Sequence, residues 1–296
     1  MTGPNSGRKE ISRNIVETKL NQPITTLPIS VFIIALNEAD RIGRTLKAIM
    51  NLSTDIVVVD SGSNDGTQKI AAALGARVVP NEWPGYGAQK GVAQDLCQHD
   101  WVLNLDADEV VTPRLCDEIR TLFGGYGPVA DGYAVRIFDV IPGDTEPRAF
   151  AYGYNRLRLY RKAKGRFSLS TVHDVVQMQA GSRSAQLQGK IYHYSIRSLG
   201  EHVSKFNAYT DAQVSDLNQR GAEVSLLRIW LEFPLAFLKA YILRRHFIGG
   251  GYGFLIAMNY AMFRHLRVAK YYEARRGESR KRDIKIPLDG TDDLAI

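Results

Sequence analysis

Apolar residues in the first third of the chain gather into three short runs, each stopping abruptly at polar side chains. The first, Ile29-Ser30-Val31-Phe32-Ile33-Ile34-Ala35-Leu36, ends in Asn37-Glu38. The second, Asp55-Ile56-Val57-Val58-Val59-Asp60, opens into Ser61-Gly62-Ser63-Asn64-Asp65-Gly66-Thr67. The third, Trp101-Val102-Leu103-Asn104-Leu105, delivers Asp106 and Asp108 one residue apart. Near-continuous runs of this length read as strands buried on both faces, the signature of parallel sheets. Between them the spacing turns helical. Ala39–Met50 carries Ile42, Leu46, Ile49 and Met50 on one face, and Thr67–Leu74 stops at Gly75. Gly85–Cys97 follows a glycine-rich turn, and Pro113–Phe123 has proline in its first turn. These are ordinary helix starts and stops. The alternation predicts βα units whose strand tips share one ligand-binding edge.

The rest of the chain is less regular. Ala76–Val79 reads as a short strand, Gly132–Ile141 as a longer one, and Arg156-Leu157-Arg158-Leu159-Tyr160-Arg161 as a half-buried antiparallel strand. Leu199–Leu217 reads as a helix. From Leu226 to Lys270 apolar and aromatic residues interleave with Arg and Lys, but Glu232, Lys239 and Arg244-Arg245 interrupt every stretch. A spanning helix needs about 18 or more apolar residues. The pattern fits two amphipathic helices, broken at Gly249-Gly250-Gly251, that lie in a membrane interface or else close the core. The expected organisation is a flexible tail at 1–26, an α/β domain at 27–219, amphipathic helices at 220–276 and a charged tail at 277–296.

Two hard carboxylate ligands at a strand tip suit Mg²⁺ or Mn²⁺ that also grips a phosphate. An isolated Asp-x-Asp is far more often a solvated turn than a catalytic pair. Three polar strand ends at the same topological place make chemistry on a phosphorylated donor the stronger reading.

These segments, Ala35-Leu36-Asn37-Glu38, Val59-Asp60 to Thr67 and Asn104-Leu105-Asp106-Ala107-Asp108-Glu109, resemble the inverting family-2 glycosyltransferases of GT-A fold. Phe167 to Asp174, His193-Tyr194-Ser195 and Lys205 to Tyr209 are similar to a bacterial branch that includes lipopolysaccharide-core β-1,4-glucosyltransferases. The resemblance implies a Rossmann-like, mostly parallel sheet with helices on both faces, followed by the C-terminal amphipathic helices. It implies a UDP-sugar donor, with glucose as the sugar, contacted by Leu36, Asn37, Glu38, Asp60, Asp65, Lys90, Asp106 and Ala107. Asp60 would recognise the uracil ring, and Asp65 is equally well explained as a helix cap. A divalent metal would sit on Asp108 and Asp106, with His193 completing the shell or simply packed. The base that deprotonates the acceptor hydroxyl would be Asp174, where related enzymes usually carry Glu, or its neighbour His173.

Composition narrows the partners. The chain has 296 residues, 45% of them hydrophobic, and a net charge of +7. Its basic residues crowd the C-terminal part. That distribution favours an anionic membrane surface over nucleic acid, since carboxylates at three strand ends would repel a phosphate backbone. A nucleotidyltransferase shares the layout, but it would carry a Gly- and Arg-rich phosphate loop where this chain has Asn37-Glu38-Ala39-Asp40. A polyprenyl-phosphate sugar synthase is the nearer rival, its lipid-phosphate acceptor needing less help from a base. Cys97 and Cys116 show no paired spacing, and Met1 to Gln22 lacks the apolar core of a signal peptide. The expectation is a cytoplasmic enzyme, peripheral at the inner face of the cell membrane, acting on a lipid-linked saccharide such as the lipopolysaccharide inner core.

Overall fold

The structure is a computed structural model and describes residues 26–168, 175–219, 225 and 227–283. Its contacts divide the chain into two compact units. One runs to Ser195 without Arg148–Ala151, and the other comprises Arg148–Ala151 and the residues from Ile196 onward.

The first unit is built on one eight-stranded sheet. Strands β1 (Ile29–Ala35), β2 (Asp55–Asp60), β3 (Arg77–Pro80) and β4 (Trp101–Asp106) are parallel, in the order β3-β2-β1-β4. Each central strand is apolar on both faces, so successive residues enter different cores. Val31 and Ile33 of β1, Ile56 and Val58 of β2, and Leu103 and Leu105 of β4 share one core with α1 (Ile42–Ile49), α2 (Thr67–Ala73) and α4 (Pro113–Gly124). Phe32, Val57, Val59 and Val102 point to the opposite core, which α3 (Tyr86–Asp95) closes with Ala93. The chain places β2 and β3 on one side of β1 and β4 on the other. Strand order therefore reverses beside β1, which opens a crevice at the C-terminal ends of β1 and β4.

The other half of the sheet is mixed. β7 (Gly153–Arg161) lies antiparallel to both β4 and β6 (Gly132–Asp139). β10 (Ser184–His193) runs parallel to β6, and β5 (Glu109–Val111) pairs antiparallel with β10 at the edge. A separate pair, β8 (Gly165–Phe167) and β9 (Val176–Met178), brings Phe167 into the second core. The α4 backbone approaches β10 so closely that a Cβ on Gly189 would sit 2.4 Å from the Leu115 Cα, and only glycine fits there.

Two expectations need correction here. The first helix begins at Ile42 rather than Ala39, because Glu38 to Arg41 form a turn held by their own ion pair. β7 is antiparallel and about half buried, as expected, but it does not alternate. It is an interior strand, and its pairing with β6 steps from Tyr133↔Leu159 to Ala134↔Leu157, skipping Arg158. This β-bulge breaks the alternation, so Leu157 and Leu159 enter opposite cores and Arg158 is buried.

The second unit is helical: α5 (Leu199–Gln219), α6 (Leu227–Leu238), a π turn (Lys239–Leu243), a 3₁₀ turn (His246–Gly249) and α7 (Gly250–Asp283). Phe206 of α5 stacks on Phe263 of α7 at 4.5 Å, and Glu232 of α6 pairs with Arg264 of α7 at 2.7 Å. By contacts α5 groups with these helices, and the first unit closes at Ser195. The break between α6 and α7 falls at 239–249, and Gly250 and Gly251 already belong to α7. That helix continues to Asp283, past the start of the expected tail at 277. Among the described residues no helix is long and apolar enough to cross a membrane.

Candidate active site

Strand register brings the polar tips together. Ala35 is level with Asp60, and Ile34 with Asp106, so Leu36, Asn37 and both aspartates lie along one edge of the sheet. On the mixed side His193 is level with Asp139 of β6 and with Glu109 of β5. Asp106, Asp108, Glu109 and Asp139 thus arrive at one edge from three strand ends and the turn after β4. Like charges at this density require cations among them.

Asp106 has them on both oxygens. Its Oδ1 is 2.7 Å from Lys90 Nζ and its Oδ2 is 3.0 Å from Arg158 Nη2. Burial opposes ionisation of Asp106, but these two cations outweigh it and hold the carboxyl far below its usual range. Arg158 also donates to Asn104 Oδ1 at 2.7 Å and pairs with Glu109. Glu109 in turn accepts the Asp106 backbone N–H at 3.1 Å. Burial, with Asp106 adding to it, raises the Glu109 carboxyl against the pull of Arg158. The Lys90 ammonium is almost completely buried and rests over the Phe167 ring, 5.4 Å from its centroid.

Asp108 stands apart from that quartet. Its Oδ1 faces His193 Nε2 at 3.4 Å, and its Oδ2 lies 3.3 Å from Arg41 Nη1. The His193 Nδ1 is 2.8 Å from Asp139 Oδ1, with the Tyr154 hydroxyl at 3.4 Å. Burial disfavours charge on His193, but the carboxylates on both ring nitrogens prevail and raise its pKa well above the ordinary histidine value. Burial likewise works against Asp108, and His193 and Arg41 lower it. If Asp139 takes the Nδ1–H of a neutral ring, the Nε2 lone pair aims at an anionic oxygen. That contact needs either a proton on Nε2 or a cation between the two groups. A divalent ion therefore fits the donor set of Asp108 and His193, although no trio of His, Cys, Asp and Glu forms a ready-made cage among the described residues.

The residues expected to face the nucleotide are knitted to one another. Asn37 adopts φ +55°, a left-handed conformation that Asn tolerates, and its Oδ1 accepts the Asn64 N–H at 3.0 Å. Glu38 makes two hydrogen bonds with Arg41, each 2.7 Å. Asp60 is fully buried and accepts from the Gly62 and Ser63 N–H groups, the Ser63 hydroxyl and the Gln68 amide. Asp65 accepts the Thr67 N–H at 3.0 Å and the Ala39 N–H at 3.0 Å, which ties the turn before α2 to the loop after β1, while the N-cap position itself is Gly66. Leu36 is exposed, and Ala107 is buried with its carbonyl accepting from Thr45 Oγ1 at 2.8 Å. His173 and Asp174 lie outside the described residues.

A cleft of about 270 Å³ opens beside Asp106, lined by Tyr154, Arg156, Arg158, Phe167 and Val175 among others. Phe167 and Val175 flank the segment that carries His173 and Asp174.

The sequence reading missed Arg41, Glu109, Asp139, Tyr154 and Arg158. Glu109 was in view as part of the Asp-x-Asp run. Arg158 was legible only as one of several basic residues in an alternating strand, which hid the bulge that turns it inward.

A comparison with known families places these residues in context. The model described as Glycosyl transferase family 2 matches residues 30–187. An uncharacterized glycosyltransferase of Rickettsia bellii is 39% identical over 259 residues, 84% of this chain and 88% of that protein. The lipopolysaccharide core biosynthesis glycosyltransferase LpsC of Rhizobium meliloti is 29% identical over 264 residues, 84% of this chain and 94% of its own. Among solved structures, S. aureus TarS 1–349 in complex with UDP-GlcNAc aligns with a TM-score of 0.43 at 15% identity, covering 75% of this chain and 73% of that one. The chain belongs to glycosyl transferase family 2, and its mixed sheet with helices on both faces is of the GT-A type.

Arg158 is the strut of this edge, and its removal tests that. Arg158→Met leaves Glu109 buried beside Asp106 without a guanidinium, a loss that typically costs about 3–5 kcal/mol. Adding Glu109→Gln removes the stranded charge and should restore a good part of that stability. Urea unfolding of both variants measures it. A single variant within about 1 kcal/mol of wild type, or a double variant no more stable than the single, contradicts the assignment.

Proposed function

We propose that this family-2 glycosyltransferase moves a hexosyl group, glucose first among the candidates, from a UDP-sugar to a hydroxyl of a membrane-linked saccharide, with inversion at the anomeric carbon. The observation that carries the reading is the division of labour between the two aspartates. Asp106 has both oxygens engaged by permanent cations, whereas Asp108 meets Arg41 on one oxygen at 3.3 Å and the His193 imidazole on the other at 3.4 Å. The name of the Rhizobium relative supports an acceptor of the lipopolysaccharide core type.

The donor's diphosphate belongs over the crevice beside β1 and β4, where open α/β sheets bind ligands. Asn37 and Asn64 hold the two nucleotide-side loops together, and Asp60 reads the uracil N–H by exchanging it for the Ser63 hydroxyl. A mismatched base would leave that buried carboxylate without its partner. Lys90 and Arg158 keep Asp106 ionised and fixed, so its oxygens orient the ribose or a water. Asp108 with His193 would hold Mg²⁺ or Mn²⁺, which when bound stabilises the charge growing on the departing diphosphate. Asp139 orients the His193 ring from behind.

The acceptor hydroxyl attacks the anomeric carbon from the face opposite the diphosphate. Its proton passes to a base on that side as the bond from carbon to the phosphate oxygen breaks and UDP leaves. Asp174 is proposed as that base, with His173 as its alternative, because the segment carrying them is flanked by residues that line the cleft beside Asp106.

A radiolabelled donor assay with UDP- and GDP-sugars tests the donor half. Hydrolysis or transfer should be confined to UDP-sugars, vanish in EDTA and return with Mn²⁺ or Mg²⁺. Asp108→Asn should keep the fold and lose about 10²-fold or more in turnover. Full activity in EDTA, or near-normal turnover by this variant, contradicts the metal assignment.

The acceptor half rests on Asp174→Asn. Transfer should fall to background while UDP affinity stays within about twofold, because the group acts in the transition state. Asp174→Glu should retain measurable activity. An active Asp174→Asn beside a dead His173→Ala makes the histidine the base. Full transfer by both variants points instead to an acceptor that is already anionic, as a lipid phosphate is.

A further inference from the structure

Among the described residues, nothing covers one apolar face of the helical unit. Leu227, Trp230, Leu231, Leu235, Leu238 and Ile242 are all exposed, Trp230 by 80%. At 100° per residue they fall on one side of α6 and its π-turn extension. Glu232, Ala236 and Ala240 mark the opposite, buried side. Six large apolar side chains on one ridge exceed the scatter of single exposed residues seen on ordinary soluble surfaces.

The edge of this ridge is cationic. Arg228 lies between the apolar face and the buried Glu232, and its Nε is 2.7 Å from a Glu232 oxygen. Arg264 of α7 bonds the other oxygen at 2.7 Å, and Arg267 reaches it only at 3.7 Å. Three guanidinium groups thus share one carboxylate, leaving two positive charges uncompensated within the cluster. Burial and the neighbouring Arg264 and Arg228 cations lower the Arg267 pKa, as expected where positive charge is crowded. Lys239 is exposed farther along the same flank.

We infer that the Leu227–Ile242 ridge docks in the plane of an anionic phospholipid bilayer, with the Arg228, Arg264 and Arg267 cluster receiving a lipid headgroup phosphate. An apolar stripe bordered by Arg and Lys is what an interfacial helix requires, the stripe among the upper acyl carbons and the cations at headgroup depth. Guanidinium suits the phosphate because it donates two parallel N–H bonds. A second copy of the chain is the other occupant to consider. Its ridge would carry the same excess of cations, so pairing would bring like charges together at the rim. The inference deepens the reading of the acceptor as membrane-linked, and vesicles without any saccharide acceptor test it separately from transfer.

The full-length protein is mixed with vesicles of phosphatidylcholine alone, or of phosphatidylcholine and phosphatidylglycerol in equal parts, and floated on a density gradient. Wild type should float with the mixed vesicles, detach partly in high salt, and show a blue shift in fluorescence that Trp230→Phe removes. Leu231→Glu with Leu235→Glu alters two exposed positions, so circular dichroism and Tm should not change while partitioning falls at least about tenfold. Arg267→Gln should weaken binding to the mixed vesicles about fivefold and leave the residual binding to neutral ones unchanged. Equal binding to both vesicle types, no binding to either, or undiminished binding by the double glutamate variant overturns the proposal. So does sedimentation showing that this variant converts a dimer to a monomer without any vesicle binding in the wild type. Vesicle binding without UDP-sugar turnover would count against the proposed activity and leave the docking face standing.

Discussion

Carboxylates crowded at one edge of a sheet are the constraint on which the rest of this structure depends. Asp106, Asp108, Glu109 and Asp139 arrive there because strand register leaves them nowhere else to go. Side by side, with Asp108 and Glu109 withdrawn from water, they would repel one another by several kcal/mol. The fold answers with a cation for each: Lys90 and Arg158 on Asp106, Arg158 on Glu109, Arg41 on Asp108, and His193 between Asp108 and Asp139. Several features of the fold trace back to this. The bulge in β7 turns Arg158 inward, the turn after β1 presents Arg41, and β10 ends on His193 at the level of Asp139.

Neutralisation is uneven, and the unevenness separates the roles. Lys90 and Arg158 are permanent partners, so Asp106 is a fixed anion whose position does not depend on what binds. Asp108 is paired with a histidine, whose charge rests on a proton that can be removed, unlike that of Lys90 or Arg158. Under the proposed function, a divalent cation arriving with a diphosphate would take the place of that proton. The quartet around Asp106 is thus scaffold and electrostatic reference, and the Asp108–His193 pair is the adjustable part.

Much of this was legible in the sequence. The buried runs at Ile29, Asp55 and Trp101, the caps at Gly75 and Pro113, and the motifs that mark the family are local signals, and local signals survive in a single chain. Arg158 was not legible, because a β-bulge is decided by the partner strand. Read alone, Arg156 to Arg161 looks like any half-exposed strand. Tyr154 and Asp139 meet His193 across 39 and 54 residues of chain, which no spacing rule encodes. The C-terminal helices were legible as amphipathic. Their break was misplaced to the glycines because those residues are common helix stops, whereas the chain leaves the α-helix through a π turn and a left-handed Arg245 at φ +56°.

The central claim is that His193 carries a proton that a metal and diphosphate displace. Nitrogen-detected NMR of imidazole-labelled protein, with and without Mg²⁺ and UDP, measures it directly. A group whose folded pKa is raised keeps its proton through the ordinary histidine range and loses it only as pH rises well above 6.5. The free protein at pH 7 should show His193 protonated on both nitrogens. Adding Mg²⁺ with UDP should remove the Nε2 proton, release it to buffer and leave Nδ1–H on Asp139, and Asp108→Asn should abolish that exchange. A His193 that titrates near 6.5 in the free protein, or one whose protonation ignores Mg²⁺ and UDP, would contradict the account.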